Sequence, residues 1–214
     1  MDTYQTEDEQ VEAIKLWWQE NGKSAIFGVI LGLMAIFGWR AWKDFQIEQA
    51  LNASQLYQEM IVAVRENKTD TASKKANDIV ATYKSTAYAV FAKLELAKLA
   101  VADGDLDSAA DNLQWALDNT AQDSLRRVIH LRLARVLIAQ NKLDKAKSQL
   151  SADKDHGEFS VSYQELEADI LRIEGNIEAA RDAYEKALNT AQSSAQDTAI
   201  LDMKLDDLGR IDAQ

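Results

Sequence analysis

Few residues of this 214-residue chain have side chains that could carry out catalysis or bind a metal. The sequence has no cysteine and two histidines, His130 and His156, which are not at the spacing of metal ligands. His130 falls in a predicted helix, where packing or solvent explains it better than catalysis. His156 falls in a predicted loop, where we expect it at the surface. The sequence therefore predicts no catalytic, cofactor-binding or metal site.

Two pairs of acidic residues are the remaining candidates for a metal site. Asp103 with Asp105, and Asp206 with Asp207, could offer carboxylates to calcium, but neither pair fits the twelve-residue calcium-binding loop. Such pairs are more often solvated helix ends. A phosphate-binding glycine loop is also missing from the sequence, because Gly28, Gly32 and Gly38 lie inside an apolar run rather than between a strand and a helix. These observations favour a binding protein over an enzyme.

The first element of the chain is an uncharged apolar run from Ser24 to Trp39. As a helix it would span about 24 Å, short of a hydrocarbon core of roughly 30 Å, but Lys23 and Arg40 can extend it by reaching the lipid head groups. The run predicts a transmembrane anchor over residues 23–42. A buried helix of a soluble domain and a cleaved signal peptide are the alternatives. The acidic segment before the run, and the lack of a small-residue cleavage site after it, favour a retained anchor.

The basic residues around the anchor do not decide its orientation, because Lys15 and Lys23 on one side balance Arg40 and Lys43 on the other. Residues 1–22 are acidic, with an apolar face that suits a helix lying in the membrane interface. An ordinary continuation of the anchor helix is the alternative for this segment.

A pair of glycines marks one face of the anchor. Gly28 and Gly32 are four residues apart, so both lie on the same side of a helix. Small residues at this spacing let two helices approach closely in lipid. The pair therefore predicts a membrane-helix interface.

The composition beyond the anchor predicts a helical domain. The chain has no proline and eight glycines, so turns are few and the rest should be nearly all helix. Its net charge of −11 argues against nucleic acid as a partner. Residues 43–214 are long enough to form one well-buried domain.

Three segments of this domain align without gaps, at spacings of 37 and then 34 residues. Each has a small residue in a first helix, a turn residue seven positions later, and a small and then a large residue in a second helix. These positions are Ala97, Gly104, Ala109 and Leu113; Ala134, Asn141, Ala146 and Leu150; and Ala168, Gly175, Ala180 and Tyr184. The pattern resembles the tetratricopeptide repeat. The predicted fold is all-α, with a single N-terminal transmembrane helix followed by a tetratricopeptide-repeat-like helical solenoid.

In an array of such repeats, residues of each first helix line a concave groove. A groove that is apolar and basic at one end, and mixed in charge at the other, could hold an extended or helical peptide. Packing against neighbouring helices is the alternative for the apolar members. The predicted lining residues are Phe91, Leu94, Lys98, Val101, Val128, Leu131, Arg135, Ile138, Ser162, Glu165, Asp169 and Arg172.

The anchor, its flanks and the repeats together resemble the YfgM family, ancillary subunits of the bacterial Sec translocon. The resemblance runs nearly from end to end. One difference bears on topology, because Lys15 is followed by Leu16 where the family pattern has a basic pair. The segments that carry the resemblance are residues 10–13, 20–23, 29–32, 38–40, 94–97 and 128–136.

The resemblance implies a single-pass protein of the bacterial inner membrane. Residues 1–22 would be cytoplasmic, residues 23–42 would cross the membrane, and residues 43–214 would form a periplasmic repeat domain. Its implied partners are the SecYEG translocon, the periplasmic chaperone PpiD and translocating polypeptides, and its implied role is to help pass emerging proteins to chaperones. The alternative function is a membrane-tethered regulator of a stress-response pathway that acts through the cytoplasmic segment.

Overall fold

The computed structural model describes residues 7–153 and 155–211, and these residues form helices and turns with no strand. The predicted all-α class is therefore confirmed. The chain divides into two units, Met1–Leu51 and Asn52–Gln214. The helices are α1 (Glu7–Arg65), α2 (Thr69–Thr82), α3 (Ala87–Ala102), α4 (Leu106–Asp118), α5 (Asp123–Ala139), α6 (Leu143–Leu150), α7 (Ser160–Ile173), α8 (Ile177–Ser193) and α9 (Ala199–Ile211), with one 3₁₀ turn at Gly157–Phe159.

The described residues of the first unit form the N-terminal part of α1. Its large apolar side chains are exposed along the predicted anchor, with Phe27 and Phe37 each 64% exposed. In the part of the chain that the structure describes, this is the one helix long and apolar enough to cross a membrane. Helix α1 continues without a break through both predicted limits of the anchor, 23 and 42, which stay predictions. Residues 7–22 thus continue the same helix.

The second unit is a series of helical pairs joined by a recurring turn. Gly104, Asn141 and Gly175 have φ angles of 79°, 57° and 82°, the left-handed conformation that the repeat alignment predicts for them. Each turn closes with a hydrogen bond that spans five residues, such as Asp105 N to Ala100 O at 2.8 Å. Asn67, with φ 56°, ends α1 by the same turn.

Small residues hold the helices of each pair close together, as the alignment predicts. Within α5 and α6, Ala134 and Ala146 are fully buried, and Leu150 is 1% exposed. Because the side chain of alanine ends at Cβ, two helix backbones can approach closely at such a contact. The equivalent residues of the other two pairs are also buried: Ala97, Ala109, Leu113, Ala168, Ala180 and Tyr184.

The two ends of the solenoid are closed by helices whose repeat pattern is weaker. Residues 52–65 of α1 pack with α2 and form a helical pair around buried Met60 and Ile79. At the other end, α9 buries Leu201 and Leu208 against α7 and α8. Helix α9 therefore caps the last repeat with an apolar stripe.

Candidate functional site

His130 has a packing role. Its ring is 7% exposed, and its Nδ1 lies 2.9 Å from Oε1 of Gln149 on α6. This contact joins α5 to α6, as expected for a buried polar side chain that has a hydrogen-bond partner. The sequence-based choice of packing or solvent for this residue is therefore resolved in favour of packing.

The prediction of a surface position for His156 is wrong. Its ring stacks on Tyr163, with centroids 3.8 Å apart and planes inclined by 10°. The hydroxyl of Tyr163 donates a hydrogen bond to the carbonyl oxygen of Arg127 at 3.1 Å, and Arg127 Nε in turn lies 3.3 Å from Asp153. Burial raises the pKa of Tyr163 to about 12. These contacts fix the chain between α6 and α7, and the sequence carried no local sign of them because 36 residues separate Tyr163 from Arg127.

Of the acidic pairs considered as metal ligands, Asp103 and Asp105 lie at helix ends as expected. Asp206 and Asp207 instead lie within α9, on its exposed side, so the helix-end interpretation is wrong for them. Asp105 accepts a hydrogen bond from the backbone N–H of Ser108 at 3.0 Å and so caps α4. Hydrogen bonding lowers the pKa of this carboxyl group. In the described ranges, no cluster of three or more histidine and acidic side chains is placed to hold a metal ion.

The first half of the predicted groove contains a cavity between α3 and α5. Its volume is about 340 Å³, and four predicted groove residues line it: Leu94, Lys98, Val101 and Arg135. The other lining residues are Ala97, Leu106, Leu113, Arg132, Val136 and Ala139. Apolar side chains form its floor, and Lys98, Arg132 and Arg135 supply positive charge. This arrangement can accept an apolar group next to an anionic one.

Four other predicted lining residues do not line this cavity. Leu131 is 4% exposed and packs in the core. Its predicted place in the groove is wrong, because its side chain packs against other buried residues. Phe91 packs against Tyr57 and Tyr88, with ring centroids 6.2 and 6.1 Å away. Val128 is half-buried, and Ile138 packs against the core. Packing, the alternative weighed from sequence, describes Leu131, Phe91 and Ile138.

Arg132 is a cavity residue that the sequence alignment did not select. Its equivalents in the neighbouring repeats are Glu95 and Leu166, so the position shows no common chemistry along the array. Only the three-dimensional arrangement places Arg132 beside Arg135 at the same cavity. One helical turn separates the two side chains, which is the signal that could have suggested a shared face.

The second half of the predicted groove is occupied by an ion-pair cluster. Lys204 of α9 lies 2.6 Å from Glu165 and 2.7 Å from Asp169 of α7. The Tyr184 hydroxyl donates a hydrogen bond to the same Asp169 carboxylate. Burial, and then this hydrogen bond to Asp169, raise the pKa of Tyr184. Glu165 and Asp169 are thus partnered within the chain, whereas Arg172 is exposed.

Gly28 and Gly32 lie on an open surface of α1. A Cβ built at either glycine would meet nothing within 4 Å. The described residues of this unit therefore leave the glycine face free, and its use as a helix interface stays a prediction.

Comparison with known proteins places these features in a family. A model of the tetratricopeptide repeat-like domain matches residues 15–210. A protein of Escherichia coli (strain K12), named an ancillary SecYEG translocon subunit, is 36% identical over 97% of this chain and 99% of its own length. A Haemophilus influenzae protein of the same name is 37% identical over 94% of this chain and 97% of its own length.

More distant similarity extends to other bacteria. A protein of Neisseria gonorrhoeae with the same name is 24% identical over 94% of this chain and 97% of its own length. No solved structure matches the chain significantly. The matched range takes in the apolar helix as well as every repeat. This chain therefore belongs to the tetratricopeptide repeat-like family, and it is similar over nearly its full length to proteins named ancillary SecYEG translocon subunits.

Proposed function

We propose that this protein is a non-catalytic ancillary subunit of the Sec translocon, held in the bacterial inner membrane by one helix. The observation that supports this most strongly is similarity over nearly the full length of two relatives with that name. Such similarity covers the apolar helix and the repeat domain together, so both parts needed for the role are present. The finer role is to link the channel to periplasmic chaperones such as PpiD and to help hand over translocated proteins.

The topology that goes with this role has residues 1–22 in the cytoplasm, residues 23–42 in the membrane and residues 43–214 in the periplasm. The balance of basic residues around the anchor leaves the orientation open, so it needs its own test. The chain has no cysteine, so a single cysteine introduced at Ser151 provides a clean label site. A membrane-impermeant maleimide should label this cysteine in spheroplasts and leave a cysteine at Thr3 unlabelled until the membrane is opened. The reverse pattern would contradict the proposed topology.

The repeat domain supports the hand-over role through its groove. A solenoid offers an extended surface to a peptide, and here the cavity between α3 and α5 is a part of the predicted groove that the described residues leave open. We assign the contact with a chaperone or a translocating polypeptide to this cavity. Gly28 and Gly32 are the proposed contact of the anchor with another membrane helix.

Photo-crosslinking in intact membranes tests the proposed function. The test positions for a photo-reactive amino acid are Val101 and Arg135, which line the cavity. The matched control position is Lys186, which is exposed on α8 and does not line the cavity. We expect crosslinks from the two cavity positions to the chaperone, to a translocon subunit or to a translocating polypeptide, and none of these from Lys186. Crosslinks to the same partners from Lys186 alone would contradict the role of the groove.

A further inference from the structure

We propose that the cavity between α3 and α5 binds an acidic polypeptide segment that also carries a large apolar side chain. This inference rests on the proposed function, in that the groove binds polypeptide, and it adds the chemical class of that partner.

The floor of the cavity is suited to a single apolar side chain. Leu94, Leu113 and Val136 are 9%, 2% and 6% exposed and form a packed apolar base. Val101 beside them is 46% exposed, so an apolar contact surface remains open to solvent. The volume of about 340 Å³ is at the lower end of the range of ligand-binding pockets, roughly 300–1,000 Å³. Burying a Leu, Ile or Phe side chain there removes apolar surface of both partners from water.

The positive charges at the cavity lack a matching acid among its lining residues. Lys98 already has a partner, because its Nζ lies 2.8 Å from Glu95. Arg132 and Arg135 are exposed, and within residues 7–153 and 155–211 neither guanidinium has an ion-pair partner. Guanidinium groups bind carboxylates through two parallel hydrogen bonds. In a chain with a net charge of −11, this local excess of cations favours an anionic partner.

The α7 acids of the groove have a cation partner within the chain. In the repeat alignment the equivalent of Arg135 is Asp169 in the next repeat, so the array itself brings an acid into the same groove. Lys204 contacts both oxygens of Asp169, at 2.7 and 2.8 Å, and also binds Glu165. The α7 carboxylates therefore have a cation of their own, and the two α5 arginines keep their charge available for a partner.

A peptide-binding measurement tests the inference on the full chain in detergent micelles. The probe is a short fluorescein-labelled peptide of leucine and glutamate, followed by fluorescence anisotropy at low and high salt. Two matched probes replace glutamate by glutamine, or leucine by alanine. We expect the leucine–glutamate peptide to bind at least about tenfold more tightly than either matched probe, since charged hydrogen bonds and apolar burial each contribute on that scale. High salt should weaken its binding.

Charge-neutralising variants locate the site. Arg132→Gln and Arg135→Gln should each weaken binding of the leucine–glutamate peptide by about tenfold. The control Lys145→Gln removes one positive charge from an exposed position on α6 and should change binding by less than about twofold. Equal binding of the glutamine peptide, or no loss in the arginine variants, would overturn the inference. So would arginine-dependent binding of phosphatidylglycerol vesicles without peptide binding.

The outcome can be separated from that of the proposed function. Crosslinks from Val101 in membranes, without binding of the leucine–glutamate peptide, would keep the proposed function and overturn this inference. Peptide binding without any crosslink to translocon, chaperone or translocating chain would support the acidic specificity of the cavity and contradict the proposed function.

Discussion

The two halves of the groove carry opposite charges, most directly at the equivalent repeat positions Arg135 and Asp169, and these charges are partnered differently. In the first half, Arg132 and Arg135 stand at an open apolar cavity with no ion-pair partner in the described ranges. In the second half, Glu165 and Asp169 are bound by Lys204 from the capping helix. The same helical framework thus forms an open surface at one place and a satisfied, structural cluster at another.

This difference shows how the end of the solenoid affects its groove. The earlier helical pairs are each followed by another pair, whereas the pair α7 and α8 is followed by the single helix α9. The lysine and leucines of α9 pack against α7 and α8. Lys204 also lies 5.6 Å above the ring of Tyr184, so the cluster joins α7, α8 and α9. Consequently, substitutions in the second half should mainly change stability, and substitutions in the first half should mainly change binding.

The largest effect should come from detaching α9. Leu208 is fully buried between α9 and the last repeat, so Leu208→Ala should lower the free energy of unfolding by about 3 kcal/mol, from lost apolar burial and the cavity left behind. Urea unfolding monitored by circular dichroism measures this. The matched control is Ile200→Ala on the same helix, where the side chain is 59% exposed and the expected loss is below about 0.5 kcal/mol. Equal losses in both variants would show that α9 does not cap the solenoid.

Removing the cation of the second half should have a somewhat smaller effect. Lys204→Met leaves Glu165 and Asp169, whose side chains are only 20% and 16% exposed, without their partner. Because uncompensated charge is costly at low exposure, we expect a loss of about 2 kcal/mol in urea unfolding. Lys186→Met, an exposed lysine on α8, should cost almost nothing. If Lys204→Met leaves the free energy of unfolding unchanged, the carboxylates of this cluster are as well solvated as the arginines in the first half of the groove.

Alkaline pH should lower the free energy of unfolding through the ionisation of Tyr163 on α7. The pKa of Tyr163 is raised by burial to about 12, above its ordinary value near 10, so the folded state holds the phenolic proton more tightly than the unfolded state. This contribution is complete below about pH 10 and is lost as pH rises toward 12, by about 1 kcal/mol at pH 11. Tyr163→Phe should remove that part of the decline in unfolding free energy, whereas Tyr83→Phe should not. An identical pH dependence in both variants would contradict the buried state of Tyr163.

The sequence predicted the framework better than the site. Ala134, Asn141 and Ala146 act within one helical pair, so a local repeat pattern was enough to place them. The contact of Lys204 with Asp169 spans 35 residues, and no local pattern signals it. Arg132 was missed because its repeat equivalents differ in chemistry. Groove specificity therefore depends on contacts between repeats, which periodicity alone does not contain.

The smallest effect on stability should come from the first half of the groove, and it sharpens the contrast most directly. Arg135 is exposed and has no ion-pair partner among the described residues, so Arg135→Met should change the free energy of unfolding by less than about 0.5 kcal/mol. The same variant should lower crosslinking from Val101 in membranes, because the partner loses a cation at the cavity. Lys204→Met should do the opposite, reducing stability while leaving that crosslink in the molecules that remain folded. If Arg135→Met destabilises the domain as strongly as Lys204→Met, then Arg135 is a structural residue and both halves of the groove serve the fold.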